Sequence, residues 1–217
     1  MGNDPNNILR LFEADRPDLA VYDWIVISTS GGKDSHVLTD FVSGLAADAG
    51  VSDRVVMVHA DLGEMEWPGT LDLVREHADH YGHRLVVCSR DQSLLDHVLA
   101  RGMWPSSTAR YCTSDHKRGP IRTVFTQLTN ELRAVADPVP GSMPRRCRIL
   151  NVMGHRAAEP SARKQRQPFT ANAGGSNKTR RQVDDWLAIH DWSDAEVWDR
   201  IRVAGTRYHW AYDRGMP

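Results

Sequence analysis

Cysteine is scarce in this sequence: Cys88, Cys112 and Cys147 are the three in 217 residues, widely spaced and odd in number. That excludes a disulfide framework and points to a reducing compartment, the cytoplasm. No two have C-x-x-C spacing, so the sequence assigns no iron–sulfur cluster. Long apolar runs are missing too, and with them any helix able to span a bilayer. The start, Met1-Gly2-Asn3-Asp4-Pro5-Asn6, is polar; it has neither the apolar stretch of a secretory leader nor the Ser or Thr of a myristoylation pattern. The formal net charge of -1 leaves no global field that would draw the chain to nucleic acid or membrane. A Walker A loop is absent, because position 27 is Ile and Lys33 is followed by Asp34. So is a dinucleotide G-x-G-x-x-G, and there is no internal repeat or low-complexity tract. The length suits one α/β domain with a full core.

What is present centres on Ser28-Thr29-Ser30-Gly31-Gly32-Lys33-Asp34-Ser35. It follows the apolar run Trp24–Ile27 and precedes residues 37–42, whose apolar spacing suits a helix. Strand, glycine turn and helix in that order bring free backbone N–H groups and the positive end of a helix dipole to one point. Gly31 and Gly32 permit positive φ and close approach of an anion to the backbone. Ser28, Ser30 and Ser35 offer hydroxyls, Lys33 a mobile positive charge, and Asp34 a hard oxygen ligand suited to Mg2+. The chemistry is that of a polyphosphate site.

Around it, alternating patterns predict an open, mostly parallel α/β sheet with helices on both faces. Strands are expected at 23–29, 54–60, 84–88, 148–153 and 184–189. Helices are expected from the loop to about Ala49, and over 68–81, 93–100, 120–136 and 197–203, the last opened by a Ser193/Glu196 capping box. Residues 1–20 read as a short amphipathic helix, 137–144 as a surface connection, and 170–181 as a mobile loop without apolar periodicity. The whole is expected to be a single domain, with a core at about 23–154 and a basic segment and C-terminal part at about 155–217.

Three further stretches carry chemistry. His59-Ala60-Asp61 ends the second strand, beside the first, where ligands of open sheets bind. Asp61 suits Mg2+ or a ribose hydroxyl, or else caps the Gly63 turn. His59 suits the nucleotide site or strand packing, the Val58–Ala60 backbone could read an adenine edge, and Trp67 suits base stacking or helix-entry packing. In the second stretch Arg110, Lys117 and Arg118 surround Cys112, and nearby cations raise a thiol's thiolate fraction. Cys112 therefore reads as a sulfur carrier, a cluster ligand or a small apolar residue. The third runs from Arg156 to Arg181, with seven Lys/Arg against one Glu. It is either a solvated basic loop or a lid over phosphates or a nucleic-acid backbone.

The S-G-G-K-D-S stretch resembles the signature of the PP-loop ATP pyrophosphatases. The R-x-C-T-x-x-x-K-x-x-P pattern at 110–120 is similar to a segment of their phosphoadenosine phosphosulfate (PAPS) reductase-like branch, which includes DNA phosphorothioation enzymes. Gly154-His155-Arg156…Glu159-Pro160-Ser161…Arg163 resembles that branch's G-x-R-x-x-E-S-x-x-R, with Pro160 where Ser is usual. The stretch 185–198 and the closing His209-x-x-Tyr212-x-x-Gly215 are also similar; in relatives the latter runs on into a cysteine-containing tail, which implies a trimmed or short form at Pro217, where a fourth cluster ligand could lie beyond. The resemblance spans about 23–217 and implies an adenine nucleotide alpha-hydrolase-like, Rossmann-like fold. It implies that Gly154 lines the nucleotide site, that Arg156 and Arg163 face the substrate anion or phosphates, and that Glu159 orients one of them. Lys33, Asp34, Arg156 and Arg163 are then the catalytic candidates, Asp34 and Asp61 the metal ligands, and Cys112, Arg110, Lys117 and Glu159 the substrate- or sulfur-handling candidates. The loop is complete, and neither E-C-G-x-H nor Cys-Cys occurs, unlike true PAPS reductases. The expectation is ATP cleavage between the α and β phosphates with Mg2+, adenylating a substrate for sulfur incorporation. An anionic acceptor such as a DNA backbone and a sulfur donor such as a cysteine desulfurase are the implied partners. A PAPS or adenylylsulfate reductase and a non-catalytic ATP-dependent adaptor are the alternatives.

Overall fold

The computed structural model describes residues 16–106, 108–135, 145–157 and 165–216. Six strands form one sheet in the order β3-β2-β1-β4-β6-β5. They are β1 (Trp24–Thr29), β2 (Val55–Ala60), β3 (Arg84–Cys88), β4 (Cys147–Met153), β5 (Phe169–Ala171) and β6 (Arg181–Trp186). All pairings are parallel except β5 with β6. The helices are α1 (Lys33–Asp48), α2 (Thr70–Tyr81), α3 (Leu94–Arg101), α4 (Gly119–Val135) and α5 (Asp194–Val203). The expected α/β fold, a mostly parallel sheet with helices on both faces, is the one observed.

The central strands are buried on both sides, which is why they read as continuous apolar runs. Ile25 and Ile27 of β1 point into a core with Val37, Leu38 and Val42 of α1 and Val197 and Ile201 of α5. Val26, between them, packs on the opposite face against Val124, Phe125 and Leu128 of α4. Left-handed glycines end two of the helices: Gly82 closes α2 at φ 65° and Gly102 closes α3 at φ 64°. Ser193 and Glu196 form the expected capping box on α5, which begins at Asp194. Helix α2 begins at Thr70, two residues later than expected, after the positive-φ Gly69.

The expected loop at 170–181 departs from expectation: residues 169–171 form an edge strand, in antiparallel register with Asp184–Trp186. Its side chains are exposed, so no apolar pattern announces it. Backbone pairing and asparagines hold it instead. Asn172 accepts the Gly175 N–H at 2.7 Å and donates to Asp185 at 2.8 Å, while the Asn177 side chain accepts the Arg180 and Arg181 N–H groups. The strand expected at 184–189 starts earlier and ends at Trp186, after which Leu187–His190 turns. The expected N-terminal helix, the 137–144 connection, Glu159 and Arg163 lie outside the described residues.

From β1 the chain lays down β2 and β3 on one side, then returns to place β4 on the other. The order reverses between β1 and β4, and in open α/β sheets that switch point is where the carboxyl ends of the strands open a crevice for ligand. The turn at 30–35 and the segment at 154–157 both leave the sheet there.

Candidate functional site: the turn after β1

The turn is shaped by three glycines. Gly31 has φ 71°, and a Cβ there would lie 2.9 Å from Thr70 Cγ2. Gly32 is the N-cap of α1 and brings no side chain of its own to the helix start, where first-turn N–H groups suit an anion. Gly154, at the end of β4, abuts the first turn of α1: a Cβ there would lie 3.2 Å from both the carbonyl carbon and the oxygen of Asp34.

The serines divide their work. Ser35 is buried; its hydroxyl donates to Gly32 O at 2.9 Å and accepts the Ser30 N–H at 3.2 Å. With its proton given to the Gly32 carbonyl, Ser35 braces the loop from inside. Ser28 likewise turns away, donating to Asn151 Oδ1 at 3.2 Å in a network that continues from Asn151 to Asp185. Ser30 stays at the mouth.

The charges come from three places in the chain. Lys33 Nζ lies 4.0 Å from Asp194 Oδ1 and 5.4 Å from the centroid of the Tyr212 ring. Asp34 Oδ1 accepts from Arg156 Nε at 2.8 Å. Arg156 does not face the crevice as expected. It is 3% exposed, and its other nitrogens donate to Trp192 O at 3.1 Å and Asp194 Oδ1 at 2.6 Å. A planar fork with its donors occupied on three sides is a strut, and a strut with two carboxylates is what a buried guanidinium requires. The adjacent Ala157 N–H bonds to His190 O at 2.8 Å, and His190 in turn pairs with Asp191 at 3.0 Å.

Tyr212, which the sequence singled out only as part of a closing motif, is wired into the loop. The Lys33 N–H donates to its hydroxyl at 2.8 Å across 179 positions. Burial raises the phenol's pKa, opposed by that bond, so the hydroxyl keeps its proton. The segment carrying it is anchored by His209 to Thr70 at 3.2 Å and by the Trp210 indole to Pro68 O at 2.9 Å. Trp67 meets Trp210 edge-on at 5.8 Å and is 55% exposed, so it is not core.

At the end of β2, Thr29 and His59 are register partners. His59 is fully buried; a carbonyl only accepts, so its bond to Thr29 O at 3.1 Å places a proton on Nδ1. Nε2 meets Glu66 Oε2 at 3.0 Å. Burial lowers the His59 pKa, but the Glu66 bond and charge outweigh it and the net shift is upward. Asp61 Oδ1 accepts the Gly63 N–H at 2.7 Å, the capping role foreseen as its alternative. His59, Asp61 and Glu66 are, among the described residues, the group whose ligand atoms lie within 4.8 Å of one another. Glu66 was missed because nothing in the spacing distinguishes it from a surface acid.

The segment 110–118 lies beyond β2. A helical turn, Tyr111–Thr113, leads through a π turn, Ser114–Arg118, into α4. Cys112 packs with Leu62 against Leu94, Val98 and Tyr111. Beside it a cavity of about 270 Å³ is lined by Asp61, Arg90, Ser93 and His116 among others. Cys88 and Cys147 stand at opposite ends of the sheet, Cys88 opposite Ala60 and Cys147 opposite Arg181. Burial raises each of their thiols to about 11. The three cysteines thus form no common ligand set.

A strand, a glycine turn and a helix at the switch point are the arrangement of the PP-loop, adenine nucleotide alpha-hydrolase-like fold. The chain belongs to the phosphoadenosine phosphosulfate reductase domain family, which matches residues 24–217. No curated protein matches in sequence. Solved structures with a similar fold include the PAPS reductase of Candida auris in a phosphate complex (17% identity, TM-score 0.60, covering 100% of this chain and 95% of that one). The FMN adenylyltransferase of Candida glabrata is 14% identical with a TM-score of 0.56, over 95% of this chain and 56% of that one. The U34-tRNA thiolase NcsA of Methanococcus maripaludis, solved with its [4Fe-4S] cluster, is 11% identical with a TM-score of 0.55, over 94% of this chain and 64% of that one. These are families of enzymes. Among the described residues no helix is long and apolar enough to cross a membrane.

Proposed function

We propose that the chain cleaves ATP between its α and β phosphates and transfers AMP to an anionic acceptor, as a step toward sulfur incorporation. The observation that supports this reading most is the complete cradle after β1: three close-packed glycines, a helix start at a glycine N-cap and Lys33 at one point. An acceptor oxygen attacks the α phosphorus, the bond from that phosphorus to the bridging oxygen breaks, and pyrophosphate leaves into the turn. The Gly32 and Asp34 N–H groups and the Lys33 ammonium stabilise the charge on the departing pyrophosphate. No protein nucleophile is required, because positioning and electrostatics carry this chemistry.

Asp34 fits Mg2+, being a hard oxygen donor at the start of the cradle whose Oδ1 is oriented by Arg156. Magnesium when bound would neutralise charge on the phosphates. Arg156 holds Asp34 in place, and His59, Asp61 and Glu66 border the crevice at the end of β2. A DNA backbone is one acceptor that the basic 156–181 segment suits, and a cysteine desulfurase is a fitting sulfur donor. A reductase of adenylylated sulfate would rest on Cys112, which packs with Leu62 and Leu94 at the edge of the cavity at Arg90.

Pyrophosphate release from ATP, screened with DNA, tRNA and sulfate, tests the reading. Release with one of these acceptors, abolished by Lys33→Ala, supports it. Tight ATP binding with no release under any acceptor favours the adaptor, and sulfite formation from PAPS or adenylylsulfate favours the reductase.

A further inference from the structure

We propose that Tyr212 is a phosphate-binding residue: its hydroxyl takes the Lys33 N–H and turns its own proton onto an anion held in the cradle. This deepens the reading above and rests on it. Three observations carry it. The first is the bond itself, 2.8 Å from Lys33 N to the Tyr212 oxygen, at the first residue of α1. An N–H at that position is one a phosphate would otherwise take. The second is the space in front of Gly32. A Cβ placed there would lie 3.2 Å from the Tyr212 oxygen and 3.6 Å from Ser30 Oγ, so two hydroxyls border the volume that glycine leaves free. The third is proton count. A phenol that accepts one N–H still has its own proton to donate, and among the described residues no protein acceptor takes it.

The ring is held for that task. Trp198 meets it edge-on at 5.3 Å, and the Lys33 ammonium lies over its face at 5.4 Å. The Ala211 N–H caps on His209, whose other nitrogen pairs with Thr70 of α2, so the turn bearing Tyr212 is pinned to the helix beside the loop. A hydroxyl bonded to an N–H is polarised by it, which makes its own O–H a better donor toward an oxyanion. The cradle thus exchanges a backbone donor for a side-chain donor that reaches further from the helix.

The test is calorimetric titration of the full chain with inorganic pyrophosphate and Mg2+, then with ATP. Tyr212→Phe keeps the ring and removes the hydroxyl. We expect about tenfold weaker binding of both ligands, the loss of one hydrogen bond to a charged group. Its melting temperature should stay within about 4 °C of the parent, whereas a purely structural tyrosine would move the melt and leave the anion affinity alone. Tyr208→Phe, which removes a hydroxyl bonded to Asp213 at 2.8 Å, is the control and should bind as the parent does. Equal affinity of parent and Tyr212→Phe overturns the inference and leaves the ATP reading standing. Tighter binding by Tyr212→Phe also overturns it, since the tyrosine would then be a plug that the anion must displace. A parent that binds neither ligand sinks the ATP reading and the inference together.

Discussion

The turn at 28–35 and the segment at 110–118 are the two stretches whose residue types promise chemistry, and they are built in opposite ways. Every charge at the turn is answered by a residue far away in sequence: Asp34 by Arg156, Arg156 by Asp194, Lys33 by Asp194 and the Tyr212 ring. At 110–118 no described residue forms an ion pair with Arg110, Lys117 or Arg118, and Cys112 sits on a small apolar patch. The first region is organised before any ligand arrives; the second presents cations that only a ligand would organise. Preorganised donors are what charge-stabilising catalysis needs, so the geometry favours the turn as the reacting centre and the segment as an accessory surface.

The strongest way to break this contrast is Lys33→Ala. Its side chain is 13% exposed and its ammonium is held near the loop, so its loss should lower pyrophosphate release by at least about 100-fold with the fold intact. Release that persists would move the reacting centre elsewhere, the cavity beside Cys112 being next in line.

Arg156→Lys sharpens the contrast from the scaffold side. Lysine keeps the charge but not the fork that reaches Asp34, Trp192 O and Asp194 together. With one arm of a buried network unmade, stability should fall by about 2–4 kcal/mol. Pyrophosphate release should drop by roughly tenfold or more as Asp34 loses its brace. Urea unfolding and the release assay measure the two effects. If release fell while stability did not, Arg156 would be acting on the ligand rather than through Asp34.

Much of this was legible in residues near one another. The apolar run at 24–27, the glycine pair and the periodic 37–42 stretch fixed the loop's place, and buried parallel strands are long apolar runs for the reason that both faces are covered. What was not legible lies in pairings across the chain. Nothing in the spacing of Tyr212 says that its hydroxyl meets Lys33 N, and Arg156 points inward because Asp34 and Asp194, from two other helices, converge on it. The edge strand at 169–171 escaped because its side chains are exposed and asparagine bonds, not burial, define it.

The turn's dependence on remote struts also predicts a pH effect. His36 of α1 and His77 of α2 are buried, their rings 4.3 Å apart, and they pair with Thr206 Oγ1 and Arg207 O, just ahead of the Tyr212 turn. Burial lowers both pKa values, with His77 and His80 adding repulsion at His36 and Asp40 opposing them; His36 falls to about 4. Because that lies below the unfolded value of 6.5, the unfolded chain binds the proton first. The contribution is whole above pH 6.5 and is lost as pH falls toward 4, by on the order of 2–3 kcal/mol. Urea midpoints at pH 7 and 4.5 should differ less in His36→Gln than in the parent. An equal difference would mean that other groups carry the acid sensitivity.

The smallest effect expected is at Cys112. Its sulfur packs on Leu94, Val98 and Tyr111 and comes no nearer to a described polar partner than 3.8 Å from Thr113 Oγ1. Cys112→Ser is nearly isosteric, so stability should change by about 1 kcal/mol or less. If the turn alone runs ATP cleavage, pyrophosphate release with the chosen acceptor should be unchanged. A sulfur-transfer role predicts a split instead: release intact, but no sulfur in the product when a donor protein is supplied. Loss of release itself would show that the two regions form one reacting centre, because a thiol beyond β2 would then be needed for chemistry at the end of β1.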